Sequence, residues 1–583
     1  MTTFEVWAPD QRRVRLRALD ADHEMVPAGD GMWRVTVPDA GPGTDYAFLL
    51  GDDDTPLPDP RSRWQPGGVH GPSRLHDPLA YEWKDEAWTG RQLAGSVLYE
   101  LHIGTFTPEG TFAAAVDRLD HLAALGVDLV EVLPVNAVNG THNWGYDGVG
   151  WYAVHEPYGG PDGFKHFVDA CHQRGIGVVL DVVYNHLGPS GAYLPRFGPY
   201  LKSGRNTRGE LVNTDGPRSA RVRRHILDNA LMWLHEFHVD GLRLDAVHAL
   251  VDLGATHLLE ELAVEVDALS AHVRRPLTLI AESDQNDPRL VRSRDAGGYG
   301  LTAQWDDDVH HSLHALLTGE RDGYYADFGS LATLARAFTG AFVHAGDFSS
   351  FRGRPHGRPV DCRVTPAYRF VAFLQDHDQV GNRAVGDRIS ATLSPALLRV
   401  GAGLLLTSPF TPMLWMGEEW GATTPWQFFT SHPEPELAAS VARGRKAEFA
   451  EHGWDAGVDV PDPQDPETFR RSKLDGSEVD GESHADLLDW YRRLTALRRQ
   501  RPELTDPWLP GVQVAYDEDA RWLVVTRGGL RVAVNLAGQR QALPLDGTPG
   551  GVLLASVPGF GYRNGSIELA PESLAVVELA TRS

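Results

Sequence analysis

Apolar and polar positions change rhythm twice along the 583 residues. Up to about residue 88 the pattern is short and alternating. "VRLRAL" (Val14 to Leu19) alternates apolar with basic residues, and "MWRVTV" and "YAFLL" follow after turns rich in Gly, Pro and Asp. A period of two buries one face of an extended chain and wets the other. Residues 1–88 are therefore expected to form a small β-sandwich, leading onward through the linker "GDDDTPLPDPRSRWQPGGVHGP".

From about residue 89 to 503, strand-like and helix-like segments take turns. "SVLYELHIG", "VDLVEVLPV", "IGVVLDVVYNH", "HVDGLRLDAVH", "LTLIAES", "LTAQWD", "FVAFLQDHD" and "TPMLWMGEE" are eight strand candidates. Between them, "TFAAAVDRLDHLAALG" places Phe112, Val116, Leu119 and Ala123 on one face and predicts a single helix stopping at Gly126. "DGFKHFVDACHQRG" and "RRHILDNALMWLHEF" predict two more. Eight strands with intervening helices make the fold class α/β, a (β/α)8 TIM barrel, with a polar insertion at about 187–220. "HADLLDWYRRLTALRRQ" is the helix expected to close it. Residues 504–583, with a hairpin around Gly528-Gly529, predict a C-terminal antiparallel β domain.

The fourth strand candidate carries Arg243 and Asp245 two residues apart, hence on one face. On an isolated antiparallel strand that face would meet solvent. In a barrel it points inward near the rim, and other strand ends carry similar groups: Asn185-His186, Asp245 with His248, Glu282, and His377-Asp378. Catalytic residues of this fold collect at the C-terminal strand ends. One acidic strand end reads as a turn or cap. Three, with an Arg and two His beside them, match the paired carboxylates of glycoside cleavage. The proton donor of such a pair needs a raised pKa, which burial or a neighbouring carboxylate supplies. The attacking carboxylate needs to stay ionised, which Arg243 would ensure for Asp245.

Charge and composition narrow the partners. A net charge of 54 − 79 = −25 disfavours nucleic acid and anionic membranes. Cys171 and Cys362 alone cannot build a disulfide framework. The run "VGAGLLLTSPFTPMLWMG" approaches membrane-spanning length, but Pro409 and Pro412 break it into a helix end, a turn and a strand. "MTTFEVWAPDQRR" lacks the apolar core of a signal peptide, so a cytoplasmic chain is expected. His310, His311 and His314 after Asp306 to Asp308 have a spacing common by chance, and acidic residues before a helix are an ordinary charge pattern. No metal and no cofactor is expected.

"DVVYNH", "GLRLDAVH", "AES" and "QDHD", in this order, resemble the four signature regions of the α-amylase superfamily, glycoside hydrolase family 13. The resemblance implies a retaining two-step mechanism on α-glucosides, with Asp245 as nucleophile, Glu282 as general acid/base and Asp378 as transition-state stabiliser. It also places His186, Arg243 and His377 around the cleaved sugar, Tyr146 of "NWGYDG" beneath it, and Asp181 and Asn185 as orienting residues. Asp376 departs from the pattern, where the family usually has Asn. The N-terminal sandwich is similar to the branch containing branching enzymes, isoamylases and trehalohydrolases. Segments such as "YELHIGTFTPEGTF", "NGTHNWGYDGVGWYAV" and "MGEEWGATTPWQFFTSH" resemble the trehalohydrolases most. That implies malto-oligosyl trehalose, an α-1,4-glucan ending in trehalose, as substrate. A branching or debranching enzyme and an inactive glucan-binding scaffold are the alternatives. Phe351 and Tyr325, with Arg352 and Arg354 nearby, are candidates for the leaving-group side; packing within their own loops is an equal reading.

Overall fold

The computed structural model describes residues 1–206, 209–451 and 459–580, without the side chains of 448–451. Its centre is a closed, all-parallel barrel of eight strands. They are β1 (Leu98–Leu101), β2 (Leu129–Val132), β3 (Gly177–Val182), β4 (Gly241–Leu244), β5 (Thr278–Ala281), β6 (Ala303–Trp305), β7 (Phe370–Phe373) and β8 (Thr411–Trp415). Each lies within one of the eight predicted segments and pairs with its sequence neighbours, β8 returning to β1.

Alternation along these strands explains the interior. Leu98, Leu129, Val179, Ile280, Ala303, Val371, Phe373 and Met413 pack together as an enclosed apolar cluster. Their neighbours on the other face, such as Tyr99, Val130, Leu180, Leu242 and Leu279, join the larger core with the surrounding helices. Two residues further along the inward face come Glu100, Glu131, Asp181 and Arg243, all buried. The barrel is thus dry at its lower end and charged at its upper end. Gly241 is required at the start of β4, because a Cβ there would lie 2.7 Å from the Thr278 carbonyl oxygen of β5.

The single helix expected over 111–126 is two, Phe112–Val116 and Leu119–Leu125. The Asp117 and Arg118 amides bond back three residues, to the Ala114 and Ala115 carbonyls at 3.2 and 3.0 Å, which tightens the turn and ends the first piece. The stretch Val400 to Gly417 divides between the helix Pro395–Thr407 and β8. No helix among the described residues is long and apolar enough to cross a membrane.

Before the barrel, a three-stranded sheet (Thr2–Trp7, Met32–Val37, Val26–Pro27) faces a four-stranded one (Ala21–Glu24, Val14–Ala18, Asp45–Leu50, Ser73–Arg74). The linker is tied to the barrel by Arg63, whose Nε and Nη2 donate to the two Glu236 oxygens at 2.6 Å each. The polar stretch after β3 contains a helix, Leu194–Phe197, and a hairpin, Leu201–Asn206 with Gly209–Val212; residues 207–208 lie outside the described residues. The helix Glu482–Gln500 precedes a five-stranded and a three-stranded antiparallel sheet, and Trp522–Arg527 turns into Leu530–Asn535 at Gly528-Gly529.

Candidate active site

Arg243, on the inward face of β4, is completely buried. Its Nη1 donates to Asp181 on β3 (Oδ1 3.1 Å, Oδ2 2.9 Å) and to Asp245 (Oδ1 3.0 Å). Its Nη2 lies 3.7 Å from Glu282 Oε2. Trp305 of β6 spreads its ring 4.4 Å from the guanidinium carbon. A fork between carboxylates on neighbouring strands and an aromatic face suits arginine, whose planar cation both bridges and stacks.

β4 ends at Leu244, so Asp245 and Ala246 are turn residues. Ala246 adopts φ +40°, ψ 55°, a left-handed conformation costly for a residue with a Cβ. The turn aims the Ala246 amide at Glu282 Oε2, 2.5 Å away. Asp245 is held from the other side by Asn185, whose Nδ2 donates to Asp245 Oδ2 at 2.7 Å and to its carbonyl at 2.8 Å. His186 braces Asn185 through Nδ1 (2.6 Å to Oδ1) and reaches the Tyr146 carbonyl through Nε2 (2.8 Å).

Hydrogen-bond geometry and the neighbouring charges both favour a charged His377. The Tyr146 hydroxyl donates to Asp181 Oδ2 at 2.6 Å, so at 2.8 Å from His377 Nε2 its oxygen accepts. His377 Nδ1 in turn donates to Glu100 Oε1 at 2.5 Å. Both ring nitrogens carry protons, which makes the ring an imidazolium. Burial opposes that charge, but Asp378 and Glu100 outweigh it and push His377 up to about 10. Tyr146 lies on the imidazolium, ring centroids 5.2 Å apart.

Glu282 is pushed the way a proton donor needs. Burial raises its pKa, the charges of Asp245 and Asp378 add to the rise, and Arg243 only partly offsets it. Asp378, in the first turn of the helix His377–Gly381, keeps 38% of its side chain exposed and accepts from Asn382 Nδ2 at 3.3 Å. Asp376 caps the same helix, accepting from the Gln379 amide at 2.6 Å. A carboxylate accepts that bond as an Asn side-chain oxygen would.

The structure brings Tyr146, Asn185, His186, Arg243, Asp245, Glu282, His377 and Asp378 into one contact network. Phe351 is 42% exposed, in the loop between strands Phe348–Ser349 and Arg354–Pro355. Arg352 ties that loop to Asp284, two residues beyond Glu282, with Nη2 2.8 Å from Oδ2. Tyr325 lies apart from this network, 2% exposed, bonded through its hydroxyl to His310 Nε2 at 3.0 Å and stacked on His314. Its neighbour Tyr324 is the half-buried ring that meets Phe351 edge to face, at 5.9 Å. Among the described residues no group of three or more His, Cys, Asp or Glu is placed to hold a metal.

Three contributors escaped the sequence reading: Glu100 of β1, Glu131 of β2 and Trp305 of β6. A Glu inside "VLYELH" looks like the wet face of a strand, and only barrel closure turns it inward. Glu418 and Glu419, solvated residues on the pattern alone, are buried: Glu419 accepts from the Tyr99 hydroxyl at 3.1 Å and Glu418 from the Tyr491 hydroxyl at 3.0 Å.

A barrel rim so furnished defines a class, the α-amylase-type glycoside hydrolases. The family description "Alpha amylase, catalytic domain" matches residues 72–208, and a domain of unknown function, DUF3459, matches residues 507–576. The comparison with whole chains is more specific. The malto-oligosyltrehalose trehalohydrolase of Rhizobium sp. (strain M-11) is 55% identical over 98% of this chain and 97% of its own length. That of Mycobacterium tuberculosis is 54% identical over the full length of both. A crystal structure of a protein from Salmonella typhimurium superposes with a TM-score of 0.90 at 40% identity, covering 99% of this chain and 97% of that one. The chain belongs to the malto-oligosyltrehalose trehalohydrolase family.

Proposed function

We propose that the rim hydrolyses the α-1,4 bond next to the terminal trehalose of malto-oligosyl trehalose, with net retention at the anomeric carbon. Asp245 attacks that carbon while Glu282 gives its proton to the departing trehalose oxygen. The bond to trehalose breaks as the Asp245 ester forms. Water then replaces the ester, giving its proton to Glu282, which ends the cycle protonated again. Asp378, the most exposed carboxylate of the three, stabilises positive charge developing on the sugar ring. His377 and His186 brace Tyr146 and Asn185 around the sugar, and Tyr146 supports its apolar face.

The observation that carries this reading is the reach of one guanidinium to both carboxylates. Arg243 donates to Asp245 at 3.0 Å, which keeps a nucleophile ionised. It stays 3.7 Å from Glu282, whose environment favours the proton. Two carboxyl groups with opposed environments take opposed roles. In the same reading residues 1–88 and 504–583 flank the catalytic segment, and Phe351 helps select the bent trehalosyl end.

The test is product analysis with maltotriosyl trehalose and with amylose. Release of trehalose and maltotriose supports the assignment. New α-1,6 branches from amylose would indicate a transferase, and no turnover of either would indicate a binding scaffold.

A further inference from the structure

Asp245, Glu282 and Asp378 stand after β4, β5 and β7. The strand between the last two carries its own acidic residue: Asp307, two positions past the end of β6, opens the helix Asp307–Thr318. The barrel order runs β4, β5, β6, so Asp307 lies on the side of Glu282 away from Asp245.

Its two neighbours in sequence have structural work. Asp306 caps the helix, accepting from the Val309 amide at 3.4 Å. Asp308 accepts from the Val343 and His344 amides at 2.7 and 2.9 Å and from Asn286 Nδ2 at 2.8 Å. Asp307 does neither. Half-buried, it makes no side-chain hydrogen bond or ion pair among the described residues, and its carboxyl reaches open space where the second oxygen of Asp306 is enclosed.

What surrounds Asp307 is acidic. Burial and the charges of Asp376, Glu282, Asp284 and Asp308 all raise its pKa well above the usual carboxylate range. A carboxyl in that environment holds its proton, and then both donates and accepts, as a neutral polyol requires.

The same helix face continues into an aromatic wall. His311 lies four residues on, one turn along that face. Its ring stacks on Tyr324 with centroids 4.9 Å apart, and Tyr324 in turn meets Phe351. Arg352 fastens the Phe351 loop to Asp284, one of the carboxylates beside Asp307. A line therefore runs from Glu282 past Asp307 to two rings, a polar contact followed by apolar faces, which suits a sugar. Tyr146 and His186, which follow β2 and β3, belong to the other side of the cleaved bond.

We infer that Asp307 is a specificity-determining residue whose carboxyl bonds a hydroxyl of the trehalose ring that Glu282 protonates on departure. The inference rests on the function proposed above and adds to it the polar contact on the leaving-group side.

The test compares maltotriosyl trehalose with α-maltosyl fluoride, which carries no sugar on the leaving side. The ratio of their kcat/KM values is expected to fall about 10–100-fold in Asp307→Ala, the worth of one hydrogen bond to an acidic group. Asp307→Asn keeps a donor and an acceptor in the same shape, so it should retain the larger part of the ratio and serves as the variant least disturbed in folding. Trehalose added as product should inhibit Asp307→Ala about tenfold more weakly than the native chain. A ratio unchanged in Asp307→Ala overturns the inference. So does an equal loss on both substrates in both variants, which would make Asp307 a group acting through Glu282 or the fold. A native chain that turns over the fluoride but releases no trehalose would overturn the proposed function itself, and this inference with it.

Discussion

Arg243 and Asp245 sit two residues apart on β4 and the turn after it, with Arg243 Nη1 3.0 Å from Asp245 Oδ1 and no part of the arginine exposed. The same nitrogen also holds Asp181 on the neighbouring strand. A charge placed this deep is tolerated only because its partners are charged oppositely and fixed. Function and stability therefore meet in one side chain.

Arg243→Lys keeps the charge but not the fork. Lysine cannot hold Asp181 and Asp245 while lying flat on Trp305. The expected result is a kcat/KM lower by about 10²-fold or more, with KM changed less than kcat. Arg243→Met removes the cation and leaves two buried carboxylates facing each other, costing about 3–5 kcal/mol in urea unfolding.

Glu282→Gln removes the proton donor and is expected to lower kcat by about 10²–10⁴-fold. In the native enzyme the activity should fall as pH rises through the raised Glu282 pKa, because the acid form is lost. Stability moves with the same sign. A carboxyl whose folded pKa is raised binds more protons folded than unfolded, so its penalty grows as pH rises above the unfolded value of about 4.3. Gln carries no such penalty. Thermal melting at neutral pH should show Glu282→Gln at least as stable as the native chain, while melting near pH 3 shows no gain.

The Glu100–His377 pair makes a second pH prediction of the same sign, in a more alkaline window. A histidine raised to about 10 contributes stability that is fully present below the unfolded value of about 6.5 and is lost as pH climbs through 10. Glu100→Gln removes the negative charge facing Nδ1, so the alkaline loss of stability should begin at lower pH. Melting scans from about pH 6.5 to about pH 10, the interval bounded by those two values, read this directly.

Phe351→Ala should narrow the preference for trehalosyl over maltosyl ends by about 2–10-fold, the worth of one aromatic contact. The ratio of kcat/KM values for maltotriosyl trehalose and maltopentaose measures it. An unchanged ratio assigns Phe351 to packing against Tyr324.

The barrel was legible because each strand is a compact apolar run and each helix a stripe ending at a Gly or a polar turn. Asp245, Glu282 and His377-Asp378 were legible because they stand at strand ends, where a carboxylate has no role in an apolar core. What the pattern hid depends on closure. Glu100 and Glu131 occupy alternating positions that an open sheet would show to water, and only the ring of eight strands buries both and turns Glu100 onto His377. The burial of Tyr325 was hidden for the converse reason. A polar, aromatic-rich loop reads as exposed, yet the helix Asp307–Thr318 presents His310 and His314 to that ring and buries it.

The central claim is that Asp245 forms a covalent bond to the sugar. A substrate with a fluoride leaving group needs no proton from Glu282 to depart, but its ester still needs Glu282 as base for hydrolysis. Glu282→Gln incubated with α-maltosyl fluoride should therefore accumulate a maltosyl-enzyme, and peptide mass spectrometry should place the added mass on Asp245. Accumulation of no adduct, or an adduct on any other residue, would contradict the account.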